Sequence, residues 1–104
     1  LSVSTVEHIG WDEAPRDLGT AVRAVEHMAS LLAPGGEMLV TVPVGYNRFL
    51  DDAIVDGRVR PSRLAWLVRS GARHWREGSA TEALATVYGW PQAGANAVAF
   101  LWWG

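Results

Sequence analysis

Leu1-Ser2-Val3-Ser4-Thr5-Val6-Glu7-His8-Ile9-Gly10-Trp11-Asp12 is the stretch whose reading decides the fold. Leu1, Val3 and Val6 supply strand propensity, and the Ser and Thr hydroxyls are small enough for a backbone or a ligand to approach closely. Gly10 ends the run. The stretch therefore reads as a buried strand that delivers two polar groups, Glu7 and His8, to its carboxyl end. In an open α/β sheet that end is where ligands bind.

Working outward, Pro15 can open a helix and Asp17 can cap one. Leu18, Val22, Val25, Ala29 and Leu32 then recur at spacings of four and three, with Ala21 and Met28 beside them and Arg23 and Glu26 on the opposite face. That is the stripe of an amphipathic helix facing a core. Pro34, Gly35 and Gly36 cannot continue it, and the glycines permit a left-handed cap and a tight reversal. Glu37 to Val42 is nearly continuous in apolar residues after its first, as expected of a strand buried on both faces of a parallel sheet. Strand, helix and strand with short links make a βαβ unit.

Pro43 closes the second strand, and Gly45, Tyr46 and Asn47 form a loop on the same sheet edge as Glu7 and His8. Asn47 can cap a short helix with Phe49 or Leu50, Ala53 and Ile54 as its apolar positions, Asp51 and Asp52 near its positive end, and Gly57 as its stop. Arg58 to Arg63 reads as a basic, Pro-broken surface connection. Leu64 to Val68 is apolar enough for a third strand, followed by a hairpin-like turn at Ser70-Gly71 with Trp75 beyond; a short helix is the competing reading. Ser79-Ala80-Thr81-Glu82 has capping-box spacing and predicts a helical turn or two through Ala85. Tyr88-Gly89-Trp90-Pro91 is a loop, and Ala95 to Trp103 is the last strand.

The 104 residues suffice for one domain with a modest core, and 49% hydrophobic with 19% charged residues is globular composition. A net charge of −2, with nine basic residues scattered along the chain, leaves no electrostatic footprint for nucleic acid or an anionic membrane. With no cysteine, disulfides, thiolate nucleophiles and cysteine-based zinc sites are excluded together. No signal peptide or apolar run of transmembrane length is visible, which predicts a cytoplasmic protein. The sequence opens inside a strand pattern without an initiating methionine, which leads to the expectation of a piece of a longer domain.

Ser2 to Asp12, Leu32-Ala33-Pro34-Gly35-Gly36 before a strand, and Thr41-Val42-Pro43-Val44-Gly45 resemble the second half of a class I S-adenosylmethionine-dependent methyltransferase. The resemblance implies a partial Rossmann-like α/β fold over residues 1–104: strands four to seven of that sheet with connecting helices, the last strand antiparallel and slotted between the second and third strands of this chain. It implies S-adenosylmethionine as cofactor, with Ser2, Val3 and Ser4 against its methionine portion. It places Glu7 and His8 at the pocket as catalytic residues, where the imidazole takes or orients a substrate proton near neutral pH. The acceptor is a small or sugar-like molecule in this reading, and the partner is the amino-terminal half of the same domain. A related subgroup holds a divalent metal through a Glu-x-x-Glu-His arrangement; Ser4 stands where the first Glu would be, so no metal is expected. The Gly-x-Gly loop after a first strand and the acidic ribose clamp after a second both belong to that other half.

Each of these residues has a structural alternative. His8 can bond a loop carbonyl, Glu7 can cap the connection into the helix, and the hydroxyls of Ser2 and Ser4 can bond locally. Tyr46 and Asn47 face substrate in one reading and are a turn and a cap in the other. At the level of the whole chain, the alternatives to an enzyme half are a non-catalytic Rossmann-like interaction module, pairing through the edge of its first strand, and half of another nucleotide-binding enzyme.

Overall fold

The computed structural model describes residues 2–3 and 19–104. Its elements in chain order are β1 (Ser2–Val3), α1 (Thr20–Ser30), β2 (Met38–Pro43), α2 (Arg48–Val55), β3 (Arg63–Gly71), β4 (His74–Gly78), α3 (Ala80–Leu84) and β5 (Ala97–Trp103). The sheet order is β1-β2-β5-β3-β4. β2, β5, β3 and β4 are successively antiparallel, and the two-residue β1 adds to β2 in parallel, with Ser2 opposite Val40 and Val3 opposite Thr41. The architecture is thus α/β, an open sheet with three described helices. The last strand lies between β2 and β3 and runs antiparallel to both.

Strand register explains the core. Val40 and Val42 stand opposite Leu101 and Ala99, and Trp66 and Val68 stand opposite Ala99 and Ala97, so these residues share one sheet face. On that face they form a single buried cluster with Ala21, Val22 and Val25 of α1, Leu50, Ala53 and Ile54 of α2, and Ala83 of α3. The three helices therefore pack on the same side of the sheet. The alanines of β5 matter here, because small side chains let helices approach the central strand closely, while Val98 and Phe100, which alternate with them, point to the opposite face and are half-buried. That opposite face also carries Leu39, Ala65 and Trp102, and among the described residues no helix covers it.

Several expectations hold in detail. Arg23 and Glu26 lie on the outer side of α1, away from its buried Val22 and Val25. The Asn47 side chain caps α2 by accepting from the Leu50 N–H at 3.1 Å. Ser79 and Glu82 form a reciprocal capping box at the start of α3, which satisfies two otherwise unpaired backbone donors. Others are corrected. α1 begins at Gly19 with no side-chain cap and ends on Leu31 in a right-handed conformation; Gly35, at φ 79°, serves the subsequent turn. Pro15 and Asp17 lie outside the described residues. The strand expected over residues 64–68 holds, within β3 and continued by a hairpin into β4, and the competing helix does not form. The connection expected to be all surface buries Val59, whose N–H returns to the Ala53 carbonyl at 3.0 Å after Gly57 reverses the chain at φ 86°.

Candidate functional site

β1, β2 and β3 all run opposite to β5 or parallel to a strand that does, so their carboxyl ends lie on one sheet edge. Three segments lie on that edge: the end of β1, the loop 44–47 after β2, and the loop 85–96 that leads into β5. Ser2 and Val3, expected at the cofactor, form β1 itself. Ser4, Glu7 and His8 follow it in the chain and lie outside the described residues.

The second and third segments are joined by a compact set of contacts. The Gly45 N–H donates to Asp51 Oδ2 at 2.8 Å. Gly45 has φ 92°, and a Cβ there would stand 3.1 Å from the Tyr88 nitrogen and 3.3 Å from its Cβ. Glycine is needed on both counts, for the left-handed backbone and for the close approach of the 85–96 loop. Tyr46 and Tyr88 meet edge to face with ring centroids 5.2 Å apart. Arg48 Nη2 reaches the Thr86 carbonyl at 3.4 Å. Tyr46 thus pairs with an aromatic ring at this edge, and Asn47 is a helix cap, the structural alternative in its case.

Asp51 is the residue at this edge that the sequence did not distinguish from its neighbour Asp52. The helix turns Asp51 inward, where it is 1% exposed. Oδ2 is bonded to Gly45, while Oδ1 is buried without a hydrogen-bond partner. Burial pushes its carboxyl up to about 6, against the opposing pull of the Gly45 N–H and of the Arg48 charge. At neutral pH the carboxylate braces the loop at a desolvation cost.

Further along the edge, a cleft of about 320 Å³ opens between the end of β3 and the 85–96 loop. Arg69 lines it, with its guanidinium over the Trp75 ring at 4.9 Å and Nη1 directed to the carbonyls of Ala93 and Ala95 at 3.4 and 3.3 Å. Asn96 holds the loop from inside: its amide donates to the carbonyls of Val87 and Gln92 at 3.0 Å, and its Oδ1 accepts from the Gln92 N–H at 3.3 Å. No periodicity signals this cleft, because its walls come from segments some twenty residues apart that only the sheet order brings together.

Among the described residues, no group of three His, Asp or Glu side chains is placed to hold a metal ion. No helix among them is long and apolar enough to cross a membrane. His74 lies exposed on β4, and its backbone carbonyl accepts from the Ser70 hydroxyl at 3.3 Å. Compared with protein-family models, with curated proteins and with solved structures, the chain matches none.

Proposed function

We propose that this chain is the carboxyl-terminal half of a Rossmann-like, S-adenosylmethionine-dependent methyltransferase domain that acts on a small-molecule acceptor. The observation that carries the reading is the placement of β5. The last strand returns antiparallel between two strands parallel to each other, and β1 and β2 form the parallel pair of a βαβ unit, so β1, β2, β5 and β3 follow the order that the resemblance implies, while β4, antiparallel to β3 at the edge, is an addition to it. Two loops and a cleft gathered at the carboxyl edge agree with where such sheets bind ligands.

In this reading the chain would meet only part of the cofactor. Ser2 and Val3 would present backbone to its methionine portion at the end of β1, and Ser4 would extend that contact. No described residue supplies a glycine-rich loop or a ribose clamp, so the adenosine would be held by the other half of the domain. When bound, S-adenosylmethionine supplies an electrophilic methyl group. The chain's own contribution is positioning, which matters most in an in-line displacement. His8 would accept the proton of a hydroxyl or amine acceptor, and Glu7 would orient the imidazole.

The sheet face that carries no described helix supports the same reading. A sheet with parallel strands is normally covered on both sides, and here Leu39, Phe100 and Trp102 lie on the side that carries no described helix. In this account the amino-terminal half packs there and continues the sheet beyond β1, which stands at its edge. The same face, without a described helix, and the edge at β1 favour the second reading, a non-catalytic module paired with another chain.

A methyl-transfer assay on the full-length protein containing this chain separates the two. His8→Ala should lower turnover by about ten-fold to a thousand-fold while leaving the melting temperature nearly unchanged. Lost stability with unaltered specific activity in the surviving protein would return His8 to a structural role. Absence of any methyl transfer by the parent protein would favour the module.

A further inference from the structure

We propose that the cleft between the end of β3 and the 85–96 loop is a binding site for a small aromatic carboxylate. Its volume, about 320 Å³, is that of a small-molecule pocket. One part of its lining is apolar and open: Trp90 is 71% exposed and Val87 53%, with Pro91 between Trp90 and Gln92. A tryptophan and a valine exposed in one concave site are a surface for a flat apolar body.

Charge selects the other end of the ligand. Among the described residues that line the cleft, Arg69 is the one that carries a charge, and no carboxylate stands there to neutralise it. Its guanidinium is held in place by the Trp75 ring and by Nη1 bonds to two carbonyls. Its Nε is buried and has no hydrogen-bond acceptor. A buried donor left without an acceptor is unfavourable, and the planar guanidinium matches the planar carboxylate group in shape and charge. Of the neutral polar neighbours, the Ser70 and Thr86 hydroxyls donate to backbone carbonyls and the Asn96 amide is taken up in the loop, which leaves the Gln92 side chain beside the Arg69 cation to meet a ligand. A fixed cation beside an exposed indole thus favours an anionic carboxylate attached to an aromatic ring over a neutral or cationic ligand.

This site is built wholly from residues 69–96 and does not rest on the methyl-transfer reading. The test is a titration of the nitrogen-15-labelled 104-residue chain with sodium benzoate, following the indole N–H resonances, in the absence of any methyl donor. Saturable shifts of the Trp90 indole with a dissociation constant of about 1 mM or tighter are expected for so small a ligand. Benzamide, which keeps the ring and loses the charge, should bind at least about ten-fold more weakly. Trp90→Ala alters an exposed side chain and should weaken benzoate by a similar factor without loss of spectral dispersion. Benzamide binding as tightly as benzoate, or a well-dispersed spectrum with no saturable shift at tens-of-millimolar benzoate, would overturn the proposal.

Discussion

Replacing Asp51 with asparagine should remove a pH dependence of stability that the parent chain carries. The carboxyl is raised from 3.8 to about 6 in the folded chain, chiefly by burial. Above pH 6 the folded state holds a desolvated carboxylate that the unfolded chain would keep in water. As pH falls through 6 the folded state takes up a proton before the unfolded chain does, so stability rises, and the gain is complete below 3.8, where the unfolded chain is protonated too. The displacement from 3.8 to about 6, at about 1.36 kcal/mol per pH unit, gives a rise of roughly 2 kcal/mol between about pH 7.5 and about pH 4, the remainder coming below 3.8. Asp56 and Glu82 act in the opposite sense. Their carboxyls are lowered by Arg58 and Arg76, so they lose stabilisation below the ordinary carboxylate range, and both pairs are exposed and weak. Asp51→Asn keeps an oxygen for the Gly45 N–H and cannot ionise, so its stability curve should be nearly flat over the same window. Urea unfolding followed by tryptophan fluorescence reads this directly, since Trp66 is buried in the core and becomes exposed. A parent chain whose stability is level or falls from about pH 7.5 to about pH 5, or an Asp51→Asn variant with the parent's slope, would refute the burial argument.

Two further substitutions test the local structure around the site. Gly45→Ala strains a backbone at φ 92° and drives a methyl group against Tyr88, so a loss of about 1–3 kcal/mol is expected, together with faster hydrogen exchange in the 85–96 loop; an alanine variant as stable as the parent would mean that the two loops do not meet as described. Ser79→Ala removes the capping box of α3 and should cost about 1 kcal/mol in urea unfolding, with a change below a few tenths arguing that the helix is held by Ala83 packing alone.

What the residues disclose in advance follows their physics. α1 is legible because its stripe of Val22, Val25 and Ala29 meets an unbroken core. β2 is legible because five of its six residues are buried, so its sequence is almost purely apolar. The two helix caps are legible because capping is local: Asn47 and Ser79 each bond within three residues. β4 is not, since His74 to Glu77 are all exposed and the strand exists through pairing with β3 rather than through any alternation of its own. The inward side chains of β5 are Ala97, Ala99, Leu101 and Trp103, and with alanines at the first two of these positions Val98 and Phe100 suggest the wrong face for the core. At the site, Asp51 and Asp52 are identical as residues, and only the phase of α2 makes one a buried brace and the other exposed. Arg69 and the 85–96 loop cannot be joined by inspection, because their contact depends on β5 lying next to β3. Ser2 and Val3 are strand as expected, whereas the roles assigned to Ser4, Glu7 and His8 rest on the resemblance.

Calorimetric titration with S-adenosylmethionine, performed in parallel on the 104-residue chain and on the full-length protein containing it, tests the central proposal most directly. On the proposed reading the chain would offer contacts to the methionine end alone and would still bear the full entropic cost of association, so its dissociation constant should be about 1 mM or weaker. The full-length protein, with the adenosine also held, should bind in the range of about 1–100 μM. No binding by the full-length protein, or low-micromolar binding by the 104-residue chain alone, would contradict the assignment of this chain as one half of a methyltransferase domain.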